Sequence, residues 1–253
     1  MSLDYHRIAQ SALAARTAEN KQARLAPELR AVSLDDALAV QAQMIKQRQD
    51  GVAAWKCLLP PADDAVVVAP IFAGTMCRGD GCVLMPDGGK ARVEPEIAFV
   101  LGRDLPAQNK ARSDDEIRAA FDRAHMALEL MQDRWQHAAE LAFPEKLADG
   151  LFNQGIYLGP EVDLDKARSC SALNIEIAQA GKKQHFDGKH PNVDAFAPLL
   201  WMINFMSARG QSFSKGQAFI TGSFCGIVEL DFDCDTQITY QGLGSYTVNF
   251  SAR

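Results

Sequence analysis

Residues 92–102 read RVEPEIAFVLG, and no other stretch of the chain restricts the fold as much. Val93, Ile97, Phe99 and Leu101 fall on alternate positions, the period of a strand with its apolar set on the core face. Glu94 and Glu96 then share the other face, with Cα atoms roughly 6.5 Å apart. Two carboxylates that close repel each other and lose solvation if partly buried. A hard cation such as Mg²⁺, Mn²⁺ or Ca²⁺ removes the conflict, because it prefers carboxylate oxygen. The same spacing also describes the solvent-facing side of an ordinary strand, and these residues alone leave both readings open. Pro95, which has no amide hydrogen, predicts a strand edge or a bulge between the two acids. Bulges often re-aim side chains near active sites.

A third acid, Glu129, stands alone among apolar neighbours in Ala127-Leu128-Glu129-Leu130-Met131. On a helix flank it reaches solvent. On a strand it shares a face with Ala127 and Met131, where an unpaired acid needs a cation or a partner. Residues 125–131 fit either element.

The rest of the chain reads as helices followed by strands. Ser33 caps a helix whose apolar face carries Leu34, Leu38 and Ile45 with Gln41, Asp35 and Asp36 suit its N-terminal dipole, and Gly51 marks its end. Short alternating segments follow at 53–58, 66–69, 82–85 and 92–101. Ser113 and Glu116 form a capping box that opens a helix from Asp114 to about Arg123. A second helix is predicted over Gln136–Leu147, interrupted near Pro144, and a buried one over Ala195–Arg209. Leu173–Ala178 alternates and runs into a hairpin turn at 180–182, and residues 217–250 form further antiparallel strands. Segregated helices and strands indicate an α+β fold. The chain divides into an N-terminal helical portion, residues 1–51, and a core, residues 52–253.

A net charge of −6, with no run of Lys or Arg, excludes a nucleic-acid or anionic-membrane surface. No apolar stretch approaches the length of a membrane span. The N-terminal residues lack the apolar centre of a secretory signal, so a cytoplasmic protein is expected. The six cysteines contain no C-x-x-C pair and are expected to be reduced.

Several stretches together resemble the 2-keto-4-pentenoate hydratase group of the fumarylacetoacetate hydrolase superfamily, which also holds the 2-oxo-3-hexenedioate (4-oxalocrotonate) decarboxylases. They are Trp55-Lys56, PIFAGTM at 70–76, VEPEIAFVLGRDLP at 93–106, ALEL at 127–130, His190-Pro191, the segment 201–222 ending in Thr221-Gly222, and GLGSYTVNFS at 242–251. The resemblance implies a mixed β-roll core behind an N-terminal helical portion, with Mg²⁺ or Mn²⁺ held by Glu94, Glu96 and Glu129. It places Lys56 at the lysine these hydratases use near the substrate, and Thr221 and Gly222 at the Thr-Gly step that lines the pocket. The activity it implies is that of a metal-dependent lyase acting on a small 2-hydroxy-dienoate or 2-oxo-enoate from aromatic-ring breakdown, either hydrating or decarboxylating it, in a homo-oligomer.

The sequence departs from that pattern in two places. The family's hydratases carry an Asp, thought to pair with the lysine, where this chain has Thr75, or Gly74 in another alignment; Asp80 lies five residues beyond Thr75. Neither Thr nor Gly serves as a carboxylate base. After the lysine the family reads Ile-Gly-Leu-Thr-Ser before a longer loop that covers the substrate. Here Cys57-Leu58-Leu59-Pro60-Pro61 leads into a short one. His185 and His190 are candidate substitutes for the missing base. A catalytically silent small-acid-binding protein on the same fold is therefore an alternative. The acylpyruvate hydrolases of the superfamily add an early His/Glu lid motif that this chain does not show.

Overall fold

The computed structural model describes residues 3–62 and 65–253. Two helices lead, α1 (Tyr5–Ala15) and α2 (Leu34–Gln47), followed by strands β1 (Val52–Leu58), β2 (Val67–Phe72), β3 (Met76–Arg78), β4 (Gly81–Leu84) and β5 (Ala91–Leu101). Then come α3 (Asp114–Arg118), β6 (Phe121–Met131), α4 (Phe143–Ala148), β7 (Asn153–Val162) and α5 (Leu164–Arg168). The hairpin β8 (Ala172–Gln179) and β9 (Lys182–Lys189) precedes α6 (Ala197–Ser207). Four strands close the chain: β10 (Ala218–Ile220), β11 (Val228–Leu230), β12 (Asp235–Tyr240) and β13 (Gly244–Ala252).

Eight strands form one mixed sheet in the order β2-β1-β10-β5-β6-β7-β3, with β11 also on β5; five form a second, β4-β13-β12-β8-β9. The apolar face of β5 (Val93, Ile97, Phe99, Leu101) enters the main core, where it meets β6, β8, β12, β13 and α6. A second core joins Ile8 and Ala12 of α1 and Val40 and Met44 of α2 to Leu147 of α4 and Phe72 of β2. This is the expected α+β architecture, a curled mixed sheet with α6 in the main core and α1, α2 and α4 in the second. No helix among the described residues is long and apolar enough to cross a membrane.

Local signals behaved unevenly. Ser33 with Asp36, and Ser113 with Glu116, form reciprocal capping boxes. The helix that Ser113 opens nevertheless stops at Arg118 rather than near Arg123, because residues 121–131 pair with β5 along nearly their whole length. That tertiary pairing outweighs local helix preference. The single helix expected over 136–147 is instead a short 3₁₀ turn at Ala138–Glu140 followed by α4. His137 adopts a left-handed conformation (φ 54°) before the turn, and Pro144 sits in the first turn of α4, where proline fits only as a start. The expectation that all six cysteines are reduced is also corrected: Cys77 and Cys82 form a disulfide across the β3–β4 turn, while Cys57, Cys170, Cys225 and Cys234 are free.

Candidate metal centre

Strand β5 carries the first two acids in an unusual setting. On one side it pairs with β6, placing Glu94 directly opposite Glu129 and Pro95 opposite Leu128. On the other side β11 covers residues 91–93 and β10 covers 98–100, so the edge is open between them. Pro95 lies in that opening, where a missing N–H costs no ladder bond. Its carbonyl accepts hydrogen bonds from the Phe224 amide (3.1 Å) and the Ser223 hydroxyl (3.2 Å), which brings the 221–226 loop against the acids. The edge predicted at Pro95 is therefore local, inside an otherwise central strand.

Glu94, Glu96 and Glu129 each offer a carboxylate oxygen, and the three oxygens lie within 4.8 Å of one another. Glu129 is only 1 % exposed and Glu96 only 2 %, so neither is the solvent-facing acid of an ordinary strand. Burial, and then the charge of Glu129, push Glu94 up to about 7. Burial, Glu129 and Glu94 in that order raise Glu96 well above the usual carboxylate range. Three acids so placed cannot all ionise without a compensating cation.

One compensating charge is in place. Lys56 Nζ of β1 lies 2.7 Å from Glu129 Oε1. Burial disfavours its ammonium, but the charges of Glu129 and Glu94 outweigh that and hold it protonated. Asn153 Nδ2 donates to the same Glu129 oxygen at 2.9 Å. Two donors thus hold Oε1. Glu96 is oriented by the Gly222 amide, which donates to its Oε2 at 2.6 Å.

Asn153 was not recognised in the sequence. It reaches Glu129 because Leu151 (φ 55°) and Phe152 (φ 66°) are both left-handed, a costly pair for non-glycine residues. A buried clamp supports the turn: Arg134 donates to the Asp149 carboxylate and to the Asn153 carbonyl, and the Trp135 indole donates to Asp149. The carbonyl of Leu151 lies 3.5 Å from Lys56 Nζ.

The acids and Lys56 floor a cavity of about 230 Å³ walled by Leu58, Val67, Pro191 and Gly222. Thr221 lies beneath rather than in it, fully buried with its hydroxyl donated to the Ala195 carbonyl at 2.6 Å. Thr75 donates to the Phe72 carbonyl and lines a different cavity, beside Arg16 and Arg48. Asp80 does not line the acid cavity, and His185 is on the second sheet beside Glu176. His190 is buried next to the cavity wall, where burial lowers its pKa and keeps it neutral; Nδ1 accepts from the Asn192 amide.

No family model matches the chain. The 2-hydroxyhexa-2,4-dienoate hydratase of Comamonas testosteroni is 26% identical over 165 residues, 63% of this chain and 60% of that protein. The aligned region thus spans less than two thirds of that relative. Among solved structures, 4-oxalocrotonate decarboxylase from Pseudomonas putida G7, complexed with magnesium and adipate, superposes with a TM-score of 0.75 over 97% of both chains at 17% identity. Maleylpyruvate hydrolase from Sphingobium sp. SYK-6, in complex with manganese(II) and pyruvate, gives 0.52 over 79% of this chain and 70% of that one at 14% identity. The fold is that of the fumarylacetoacetate hydrolase superfamily. Within it, the resemblance to the hydratase and decarboxylase group is borne out by the curated relative and by the structural neighbours.

Proposed function

We propose that this chain is a metal-dependent lyase acting on a small 2-hydroxy-dienoate or 2-oxo-enoate in the breakdown of aromatic compounds, with Glu94, Glu96 and Glu129 holding Mg²⁺ or Mn²⁺. The observation that carries the proposal is the convergence of three carboxylates, Glu96 and Glu129 buried and Glu94 half-buried, whose oxygens lie within 4.8 Å of one another. An all-oxygen, anionic donor set fits a hard divalent cation, and three protein ligands leave positions open for substrate. The magnesium, calcium and manganese in the neighbouring structures support that choice.

When bound, the ion supplies Lewis-acid stabilisation of negative charge on the substrate's C2 oxygen. The protein's own residues do the rest. Gly222 and Asn153 fix the orientation of Glu96 and Glu129 before substrate arrives. Lys56, protonated and directed at the acids, places a positive charge and a transferable proton at the cavity floor. Leu58, Val67 and Pro191 exclude water from one side. Hydration and loss of CO₂ both develop charge at the C2 oxygen, so this arrangement serves either reaction.

A second reading, a catalytically silent small-acid-binding protein, is favoured by one observation: Thr75, at the position of the hydratases' Asp, lines another cavity altogether. Ultraviolet assays on 2-hydroxypenta-2,4-dienoate and 2-oxo-3-hexenedioate, each with Mg²⁺ and Mn²⁺, test both readings. Turnover of either substrate, dependent on metal, supports the lyase. Tight oxalate or pyruvate binding without turnover of any 2-hydroxy-dienoate favours the silent protein. We further take the enzyme to act in the cytoplasm and to form a homo-oligomer, an assembly that light scattering on the purified chain checks.

A further inference from the structure

Away from the acids, the ends of α1 and α2 meet at a second cavity. Arg16 is the C-terminal cap of α1 and Arg48 that of α2, and both line a space of about 130 Å³ beside Thr75, Val83 and Gln154. Their guanidinium groups lie over the same Phe72 ring, 5.5 and 4.5 Å from its centre. Arg48 is matched. It donates to the Asp50 carboxylate through Nε at 2.6 Å and Nη2 at 2.5 Å, and the Gly74 amide donates to Asp50 as well. Arg16 has no such partner. It is only 7 % exposed, its Nη2 donates to the Asp149 carbonyl at 2.9 Å, and Nε and Nη1 are buried without a hydrogen bond. The Asp149 carboxylate is bonded to Arg134 and the Trp135 indole instead.

A buried guanidinium is ordinarily paired, because a charge that leaves water without a partner loses its hydration and gains nothing in return. Around this cavity Arg16, Arg48 and Arg134 face two carboxylates, Asp50 and Asp149, which leaves one positive charge in excess. Arg253 lines the cavity too, but it brings the last carboxylate of the sequence with its guanidinium, so the excess is that of Arg16. The Phe72 ring and the Asp149 carbonyl offset only part of it. Burial, and then the charge of Arg134, push Arg16 down to about 9. No Asp or Glu lines the cavity among the described residues. Its volume suits a phosphate or a short carboxylate and is too small for a nucleotide.

We propose that this cavity is a binding site for a small oxyanion, a phosphate or carboxylate group, that balances the charge of Arg16 and ties the ends of α1 and α2 to the strands beside them. The site shares no lining residue with the acid cavity, and it stands whether or not the chain is a lyase.

Thermal melting of the metal-free full chain tests it, with sodium phosphate or sodium acetate replacing sodium chloride at constant ionic strength. The expected result is a saturable rise in melting temperature, on the order of 3 °C at saturation. The anion with the lower half-saturating concentration identifies the group that the site prefers. Arg16→Met leaves the Asp149 carbonyl its other donor, Arg134 Nη2, and is expected to abolish the saturable rise. Val83→Asp, at a wall position 54 % exposed, supplies a carboxylate from the protein itself and should abolish it too. A rise that grows without saturating overturns the proposal, because excluded salts strengthen burial without any site. A saturable rise that persists unchanged in both variants also overturns it, since the anion then binds elsewhere. If Arg16→Met does not fold, Val83→Asp and the shape of the curve for the unmodified chain decide the outcome.

Discussion

Lys56 Nζ and Glu129 Oε1 meet at 2.7 Å although their strands, β1 and β6, are separated in the sheet by β10 and β5. Strand β10 is only three residues long and ends at Ile220, opposite Lys56, beyond which the chain continues as the loop that carries Gly222 to Glu96. In the metal-free chain this pair sets an ammonium directly against a buried carboxylate. Lys56→Met removes the ammonium and leaves a buried carboxylate beside two others, a loss of about 3–5 kcal/mol when one partner of a buried pair is deleted. The metal-free variant is expected to melt on the order of 10 °C lower at pH 8. Mn²⁺ is expected to recover most of that loss while turnover stays depressed. A variant whose melting temperature matches the parent without metal contradicts the pairing.

Glu94 and Glu129 face each other across the β5–β6 ladder, so removing the charge of either leaves too few anionic oxygens for a divalent ion. Glu94→Gln and Glu129→Gln are each expected to weaken Mn²⁺ binding by at least about 100-fold, a larger effect than loss of an outer-shell partner usually brings. Both variants should fold, because an amide is nearly isosteric, although Glu129→Gln also deprives Lys56 of its ion partner and is expected to be the less stable of the two. Calorimetry showing unchanged Mn²⁺ affinity in both would falsify the assignment.

Asn153 touches no cation site directly, yet it holds the Glu129 oxygen that Lys56 also holds. Asn153→Ala frees that carboxylate to rotate, and Mn²⁺ affinity is expected to fall by roughly tenfold. Asn153→Gln, too long for the space, should not rescue it. Near-ultraviolet circular dichroism of the metal-free variant separates a loosened carboxylate from a collapsed 150–152 turn, which would change the spectrum.

How much of this was legible follows the physics of each signal. Glu94 and Glu96 could be paired from the sequence because a strand's period is two and depends on nothing remote. Glu129 could not, since Ala-Leu-Glu-Leu-Met suits a helix as well as a strand; only its ladder with β5 decides, and the family resemblance supplied what local pattern lacked. Asn153 had no visible signal. Its position depends on Leu151 and Phe152 adopting left-handed conformations that glycine or asparagine would have advertised. The fold class was readable from the segregation of helices and strands. The true boundaries near residues 118–121 and 137–143 were set by pairing with β5 and by the left-handed His137. Thr221-Gly222 was half legible: the glycine reaches the cavity through its amide, whereas the threonine hydroxyl is spent on Ala195.

Gly222 has φ of 124°, where a side chain is strained whatever the space, and a Cβ there would strike Leu58 and Pro191. Gly222→Ala is expected to cost about 1–3 kcal/mol in stability. It should also displace the amide from Glu96 and shrink the cavity. Substrate affinity should therefore fall more than Mn²⁺ affinity, because Glu94 and Glu129 keep their positions. Equal losses in both titrations would show that the 221–226 loop serves the metal centre alone.

In the metal-free protein Glu94 is raised from an ordinary 4.5 to about 7 by burial and then by Glu129, and Glu96 is raised in the same direction. Between those two values the folded chain holds a proton that the unfolded chain has released. Metal-free stability therefore falls as pH rises from 4.5 to about 7, and the Glu94 contribution levels off above that. A divalent ion takes the place of the proton. At pH 6, Mn²⁺ binding should release protons, seen as a binding enthalpy that changes with the ionisation heat of the buffer. Apparent affinity should climb between pH 6 and 7, and the release attributable to Glu94 should fade by pH 8. An affinity and a buffer dependence that stay flat from pH 6 to 8 would mean that Glu94 is already ionised in the empty site, and that Lys56 alone balances the acids.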